Sequence, residues 1–111
     1  MGRGILRRHG WLLLFALVAS GCGSTVGDAC RTDQDCGGRT CRRGEDYPGG
    51  YCTQHCTLGD NHTCPSGAWC EHHHGEDVCL RRCADDVECR AGLTCKTTHG
   101  DGPFCLAPND L

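Results

Sequence analysis

Twelve of the thirteen cysteines lie between Cys30 and Cys105, in three consecutive blocks of four. The blocks are Cys30, Cys36, Cys41 and Cys52; Cys56, Cys64, Cys70 and Cys79; and Cys83, Cys89, Cys95 and Cys105. Within a block five or seven residues separate the first two cysteines, four or five the next two, and eight to ten the last two. A C-x3-C step, Cys52/Cys56 and Cys79/Cys83, leads from each block to the next. A ladder this regular predicts a covalent scaffold, a small disulfide-rich fold of three tandem four-cysteine units.

The apolar residues are too few to replace it. From Cys30 to Cys105 the large ones are Tyr47, Tyr51, Leu58, Trp69, Val78, Leu80, Val87, Leu93 and Phe104. Burying one contributes about 1.5–3 kcal/mol, whereas fixing the backbone costs about 1–2 kcal/mol for every residue. Disulfides that close loops of this size contribute about 2–4 kcal/mol apiece, mainly by restricting the unfolded chain.

The similarity between blocks extends beyond cysteine. Gly38-Arg-Thr-Cys41, Gly67-Ala-Trp-Cys70 and Gly92-Leu-Thr-Cys95 place glycine three residues before the third cysteine, and Tyr51, Val78 and Phe104 precede the fourth. Turn-forming residues precede the second: Asp33-Gln-Asp35, Asp60-Asn61 and Asp85-Asp86-Val-Glu88. This is an internal repeat, with a cysteine-rich domain over residues 30–109 and units at about 30–55, 56–82 and 83–109. The repeated glycine marks a turn that needs positive φ or close backbone approach before a short strand. Glycine and turn residues interrupt every longer run, which predicts short β-hairpins joined by irregular loops, with little helix. Tyr51, Val78 and Phe104 are expected to pack on the disulfides of their own units. The variable segments Arg42 to Tyr51, Glu71 to Val78 and Lys96 to Phe104 are the natural places for a binding surface.

Spacing leaves the pairing open. Cys52 and Cys56 each have a place in their own block, which argues against a bond between them. The first block, with Asp33-Gln-Asp-Cys36-Gly, resembles the units of Dickkopf and colipase-like proteins, and the whole ladder resembles the repeats of cysteine-rich lipoproteins of myxobacteria and related bacteria. The resemblance implies a crossed pairing, first with third and second with fourth. The bonds would then be Cys30–Cys41, Cys36–Cys52, Cys56–Cys70, Cys64–Cys79, Cys83–Cys95 and Cys89–Cys105.

Residues 1–21 form the three-part pattern of a secretory signal peptide: Arg3, Arg7 and Arg8, then the apolar run Trp11 to Ala19, then Ser20 and Gly21. The run is about half of the roughly 20 residues that a spanning helix needs. Ala19-Ser20-Gly21-Cys22 resembles the bacterial lipobox. That resemblance implies diacylglycerol transfer to the Cys22 thiol, cleavage before Cys22 and acylation of the new amino group, giving a palmitate-type membrane anchor. Lipidation also explains parity, because removing Cys22 leaves an even number of cysteines. Gly23 rather than Asp follows it, which under the enteric sorting rule implies the outer membrane of a diderm bacterium. Residues 22–29 then read as the lipidated cysteine and a short tether, which at about 3.3–3.6 Å per residue reaches about 25 Å at most.

Without residues 1–21 the chain keeps 8 basic against 14 acidic side chains, a net of −6. Nucleic acid is therefore not an expected partner, since it requires clustered cations. Glu71-His72-His73-His74-Gly75-Glu76-Asp77 is the strongest candidate for metal chemistry, because imidazole and carboxylate suit zinc, nickel or copper. Against it, neighbouring histidines in a loop diverge, and a solvated polar loop is the simpler reading. Zinc-thiolate chemistry is opposed by the export signal and by the lack of paired C-x2-C knuckles. Asp33, Asp35, Asp85, Asp86 and Glu88 form no complete calcium loop, and turn carboxylates bonded to backbone amides account for them. No Gly-x-Ser-x-Gly, HExxH or phosphate-cradling glycine motif is present. The expectation is a lipid-anchored, non-catalytic envelope protein without a cofactor beyond the lipid. Its role would be structural or binding, with envelope proteins or glycans as partners; the alternative is metal capture by His72, His73 and His74.

Overall fold

The computed structural model describes residues 24–97 and 100–108. The signal-peptide stretch 1–21 and the lipidation candidate Cys22 lie outside the described residues. Three antiparallel hairpins carry the fold. Strand β1 (Thr40–Arg42) pairs with β2 (Tyr51–Thr53), β3 (Ala68–His73) with β4 (Glu76–Arg81), and β5 (Thr94–Lys96) with β6 (Phe104–Leu106). Among the described residues helix is confined to three single 3-10 turns, Asp33–Cys36, Asn61–Thr63 and Asp86–Glu88, one ahead of each hairpin.

The hairpin registers place the third cysteine of each unit opposite the fourth: Cys41 faces Cys52, Cys70 faces Cys79, and Cys95 faces Cys105. Residues opposite one another project to the same face of a two-stranded sheet. Both sulfurs of a hairpin therefore point at the segment that carries the first two cysteines. The bonds formed are Cys30–Cys41 and Cys36–Cys52, Cys56–Cys70 and Cys64–Cys79, Cys83–Cys95 and Cys89–Cys105. Every one closes within its own unit.

Side chains of the 3-10 turns fasten each turn to its hairpin in the same way. The backbone N–H of the third cysteine donates to the first residue of the turn at 2.8 Å: Cys41 to Asp33, Cys70 to Asn61 and Cys95 to Asp86. The residue before the second cysteine accepts from the N–H that follows the first: Asp35 from Arg31, Thr63 from Thr57 and Glu88 from Ala84. The N–H groups of Arg31 and Thr32 hold the Asp35 carboxyl below the usual carboxylate range. The acidic residues ahead of each second cysteine thus satisfy backbone donors that the short turns leave open.

The repeated glycines Gly38, Gly67 and Gly92 have φ of 96°, 91° and 93°. A Cβ built on Gly38 or Gly67 meets nothing within 4 Å, and on Gly92 it meets only Pro48 Cγ at 4.0 Å. Their role is the left-handed turn into the strand rather than a close approach.

The few large apolar side chains pool between units. Tyr47 and Tyr51 from unit one, Val78 and Leu80 from unit two, and Leu93, Phe104 and Leu106 from unit three form one buried cluster with Cys64, Cys70, Cys79 and Cys105. Val78 and Phe104 lie with the cysteines of their own units, as expected, but Tyr51 does not. The unit-one cysteines Cys30, Cys36 and Cys52 form a separate small cluster with Cys41 packed against it. Tyr51 faces away from them, and its hydroxyl donates to the Cys105 carbonyl and accepts from the Arg81 N–H, both at 2.9 Å. A unit of this size has too little apolar surface of its own, so the tyrosine gains more burial where three units meet.

Residues 24–29 are not the free tether expected from their composition. Val26 is buried in the shared cluster, the Gly27 N–H donates to the Cys52 carbonyl at 2.8 Å, and the Cys52 N–H donates to Asp28 at 2.9 Å. The repeat supplies the reason. In unit two the Cys79 N–H bonds Gln54, two residues before the first cysteine of that unit, just as Asp28 precedes Cys30. The second strand of each of these hairpins needs an edge partner, and for unit one that partner is the segment ahead of Cys30.

Candidate functional site

The tip of the β3–β4 hairpin is where chemistry-bearing side chains converge. His73 pairs in register with Glu76, leaving His74-Gly75 as a two-residue turn. Both turn residues have positive φ, 49° for His74 and 82° for Gly75, and His74 alone among the described non-glycine residues has this conformation. Two-residue hairpin turns with positive φ at both positions favour Asn or Gly at the first, so histidine holds this place at a conformational cost. Glu71 to Val78 is therefore a strand pair with a tight turn, not the loop expected from its polarity.

Strand alternation separates the three histidines. His72 is exposed and its Nδ1 lies 2.8 Å from Asp77 Oδ1. His73 projects to the other face, where it is 4% exposed. The His74 ring sits 4.1 Å from the His73 ring, centroid to centroid. Two of the three candidates thus come together, and His72 does not join them.

Unit one supplies the third group. The segment between Arg42 and Tyr51 folds as two successive turns, with the Tyr47 N–H bonded to Gly44 and the Gly50 N–H bonded to Tyr47. Tyr47 is buried between the two units, its ring 5.5 Å from Tyr51 and edge-on to His73 at 5.9 Å. Burial of Tyr47 fixes its neighbour Asp46, whose Oδ2 lies 3.0 Å from His74 Nε2. Ligand atoms of Asp46, His73 and His74 all lie within 4.8 Å of one another. Close by, Arg42 pairs with Glu76, and His55 Nε2 is 3.8 Å from the same carboxylate. Asp46 was invisible to sequence reasoning, because nothing in the spacing of Glu71 to Asp77 refers to the first unit.

Sulfur also clusters, with Cys30, Cys36 and Cys52 and their counterparts in the other units within ligand range of one another. These atoms are disulfide-bonded and offer no thiolate. A second surface lies beside the hairpin base. Trp69 is partly buried, its Nε1–H donates to Pro103 at 2.9 Å, and the Arg82 guanidinium lies 4.4 Å from its ring centroid. With Asn61, Pro65 and Gly67, Trp69 and Arg82 line an open groove of about 340 Å³. Comparison of the chain with protein-family models, curated proteins and solved structures finds no match.

Proposed function

We propose that this chain is an exported, lipid-anchored envelope protein whose disulfide-stapled units hold a non-catalytic structural or binding surface. Six disulfides among the cysteines from Cys30 to Cys105 accord with an oxidising compartment outside the cytoplasm. The observation that carries the anchor is the count: those bonds use twelve cysteines, and the thirteenth is Cys22 in Ala19-Ser20-Gly21-Cys22. Several acyl chains on Cys22 hold a protein stably at a bilayer, where one holds it only marginally. Since residues 24–29 are folded into unit one, Gly23 alone separates the anchor from the domain. The domain then rests against the membrane, the outer membrane under the sorting rule read from Gly23. The partners read from the sequence are envelope proteins or glycans, and the Trp69–Arg82 groove supports a protein contact, since aromatic and arginine side chains are enriched at protein interfaces.

Metabolic labelling with palmitate tests the anchor. The wild-type chain incorporates label and fractionates with membranes, whereas Cys22→Ala does neither. An unlabelled wild-type protein, or an unchanged membrane fraction for Cys22→Ala, overturns the lipid reading. Thiol titration of the denatured, unreduced protein tests the scaffold independently, and six or more free thiols would reject it.

A further inference from the structure

The geometry points to a divalent transition-metal site formed by Asp46, His73 and His74 at the junction of units one and two. Two imidazoles and one carboxylate are a borderline-soft donor set suited to Zn²⁺, Cu²⁺ or Ni²⁺ rather than to calcium or magnesium. Their ligand atoms lie within 4.8 Å of one another, and tetrahedral zinc with bonds of about 2.0–2.2 Å holds its ligands about 3.3–3.6 Å apart. The approach required is small and falls on half-exposed side chains. His73 is buried against Tyr47 and serves as the fixed point, while the half-exposed side chains of Asp46 and His74 close on it. Three protein ligands leave the remaining coordination position to water or to a donor from a bound partner.

Two features of the fold favour this reading over a chance meeting of polar groups. His74 occupies a left-handed turn position that Gly or Asn fills at lower cost, and in that position its imidazole reaches both His73 and Asp46. The ligands also come from two units that no disulfide joins. A bound ion would therefore clamp a junction otherwise held by packing and hydrogen bonds, and it would add to folded-state stability by mass action. The site does not depend on the lipid anchor.

Calorimetric titration of the full-length, exported and oxidised protein, purified without a histidine tag, with ZnCl₂, CuCl₂ and NiCl₂ tests the assignment. One saturable site per chain is expected with micromolar or tighter affinity. Removing a ligand should weaken it by at least the roughly 10–100-fold seen when groups supporting a metal site are lost. His74→Gly is the decisive variant, because glycine relieves the turn: its melting temperature without metal stays level or rises while affinity falls. Asp46→Asn should lose affinity likewise, and His72→Ala should retain it. Absence of saturable binding by the wild-type protein overturns the proposal, as does an equal loss for His72→Ala, which would mean that adjacent histidines bind merely as a flexible tract.

Discussion

The Tyr51 hydroxyl donates to the carbonyl of Cys105 at 2.9 Å, joining the second strand of unit one to the second strand of unit three. The same oxygen accepts from the Arg81 N–H of unit two at 2.9 Å, so one buried side chain touches all three units. Since every disulfide closes within a unit, covalent bonds hold each unit together and noncovalent contacts of this kind hold the units to one another.

Tyr51→Phe keeps the ring and leaves a buried carbonyl, on Cys105, and a part-buried N–H, on Arg81, without this partner. The expected cost is about 1–3 kcal/mol. Denaturant unfolding with the disulfides intact should show a lowered midpoint. Hydrogen exchange should accelerate at the unit junctions and remain slow within the hairpins.

Burial raises the Tyr51 phenol pKa above its ordinary value of 10.0. In the window above pH 10 the unfolded chain loses this proton while the folded one keeps it, so the unfolded state binds fewer protons and stability falls as pH rises. The contribution is fully present below that window. Stability should therefore drop on the alkaline side of about pH 10, and Tyr51→Phe should flatten that drop. Rapid denaturant titrations at several pH values measure both curves.

Arg90 performs a second stapling role from unit three. Its guanidinium donates to the Gly27 carbonyl at 2.9 Å, to Pro48 at 3.0 Å and to Gly50. Partial burial lowers its pKa from the ordinary arginine value, with Tyr51 and Asp28 opposing. Arg90→Met keeps the aliphatic stem and leaves three carbonyls without this donor, for an expected loss of about 2–4 kcal/mol. Thermal unfolding followed by circular dichroism measures it, and a loss below about 0.5 kcal/mol would show that water replaces the guanidinium fully.

The turn anchors Asp33, Asn61 and Asp86 should obey one substitution rule. Unit two performs with an amide what units one and three perform with a carboxylate. Asp33→Asn and Asp86→Asn should therefore be nearly neutral, whereas alanine at any of the three positions should cost about 1 kcal/mol. Parallel denaturant titrations of the six-disulfide forms give the comparison.

Two kinds of glycine should separate on substitution by alanine. At Gly38 the strain is conformational only, about 1–2 kcal/mol. At Gly50, φ is also positive, and a Cβ would lie 2.0 Å from the Cys30 carbonyl oxygen. Backbone beside the Cys30–Cys41 bond must then move, at about 3 kcal/mol or more. Mass spectrometry of the oxidised products should find correct unit-one bonds for Gly38→Ala and mispaired ones for Gly50→Ala.

Much of this architecture was legible in the residues because its causes are local. A glycine three before each third cysteine requires a left-handed turn, Asp35 and Glu88 answer backbone donors four residues away, and Asp33 and Asp86 answer the N–H of the third cysteine in their own units, eight and nine residues on. Those relations repeat because each unit solves the same short-range problem. The segment 24–29 has the small polar composition of a linker, and its place in the fold comes from the backbone groups of Cys52 in β2, which pair with Gly27 and Asp28.

Three disulfide-bearing hairpin units are written into the chain, since cysteine spacing, turn residues and strand length act over distances shorter than one unit. How the units meet emerges only on folding: Tyr51 turns from its own cysteines to Cys105, Arg90 reaches Gly27 and Pro48, and Asp46 stands beside His74 and His73. These contacts come from pooling scarce apolar surface between units, and the partner chosen by such burial depends on shape rather than on any spacing along the chain.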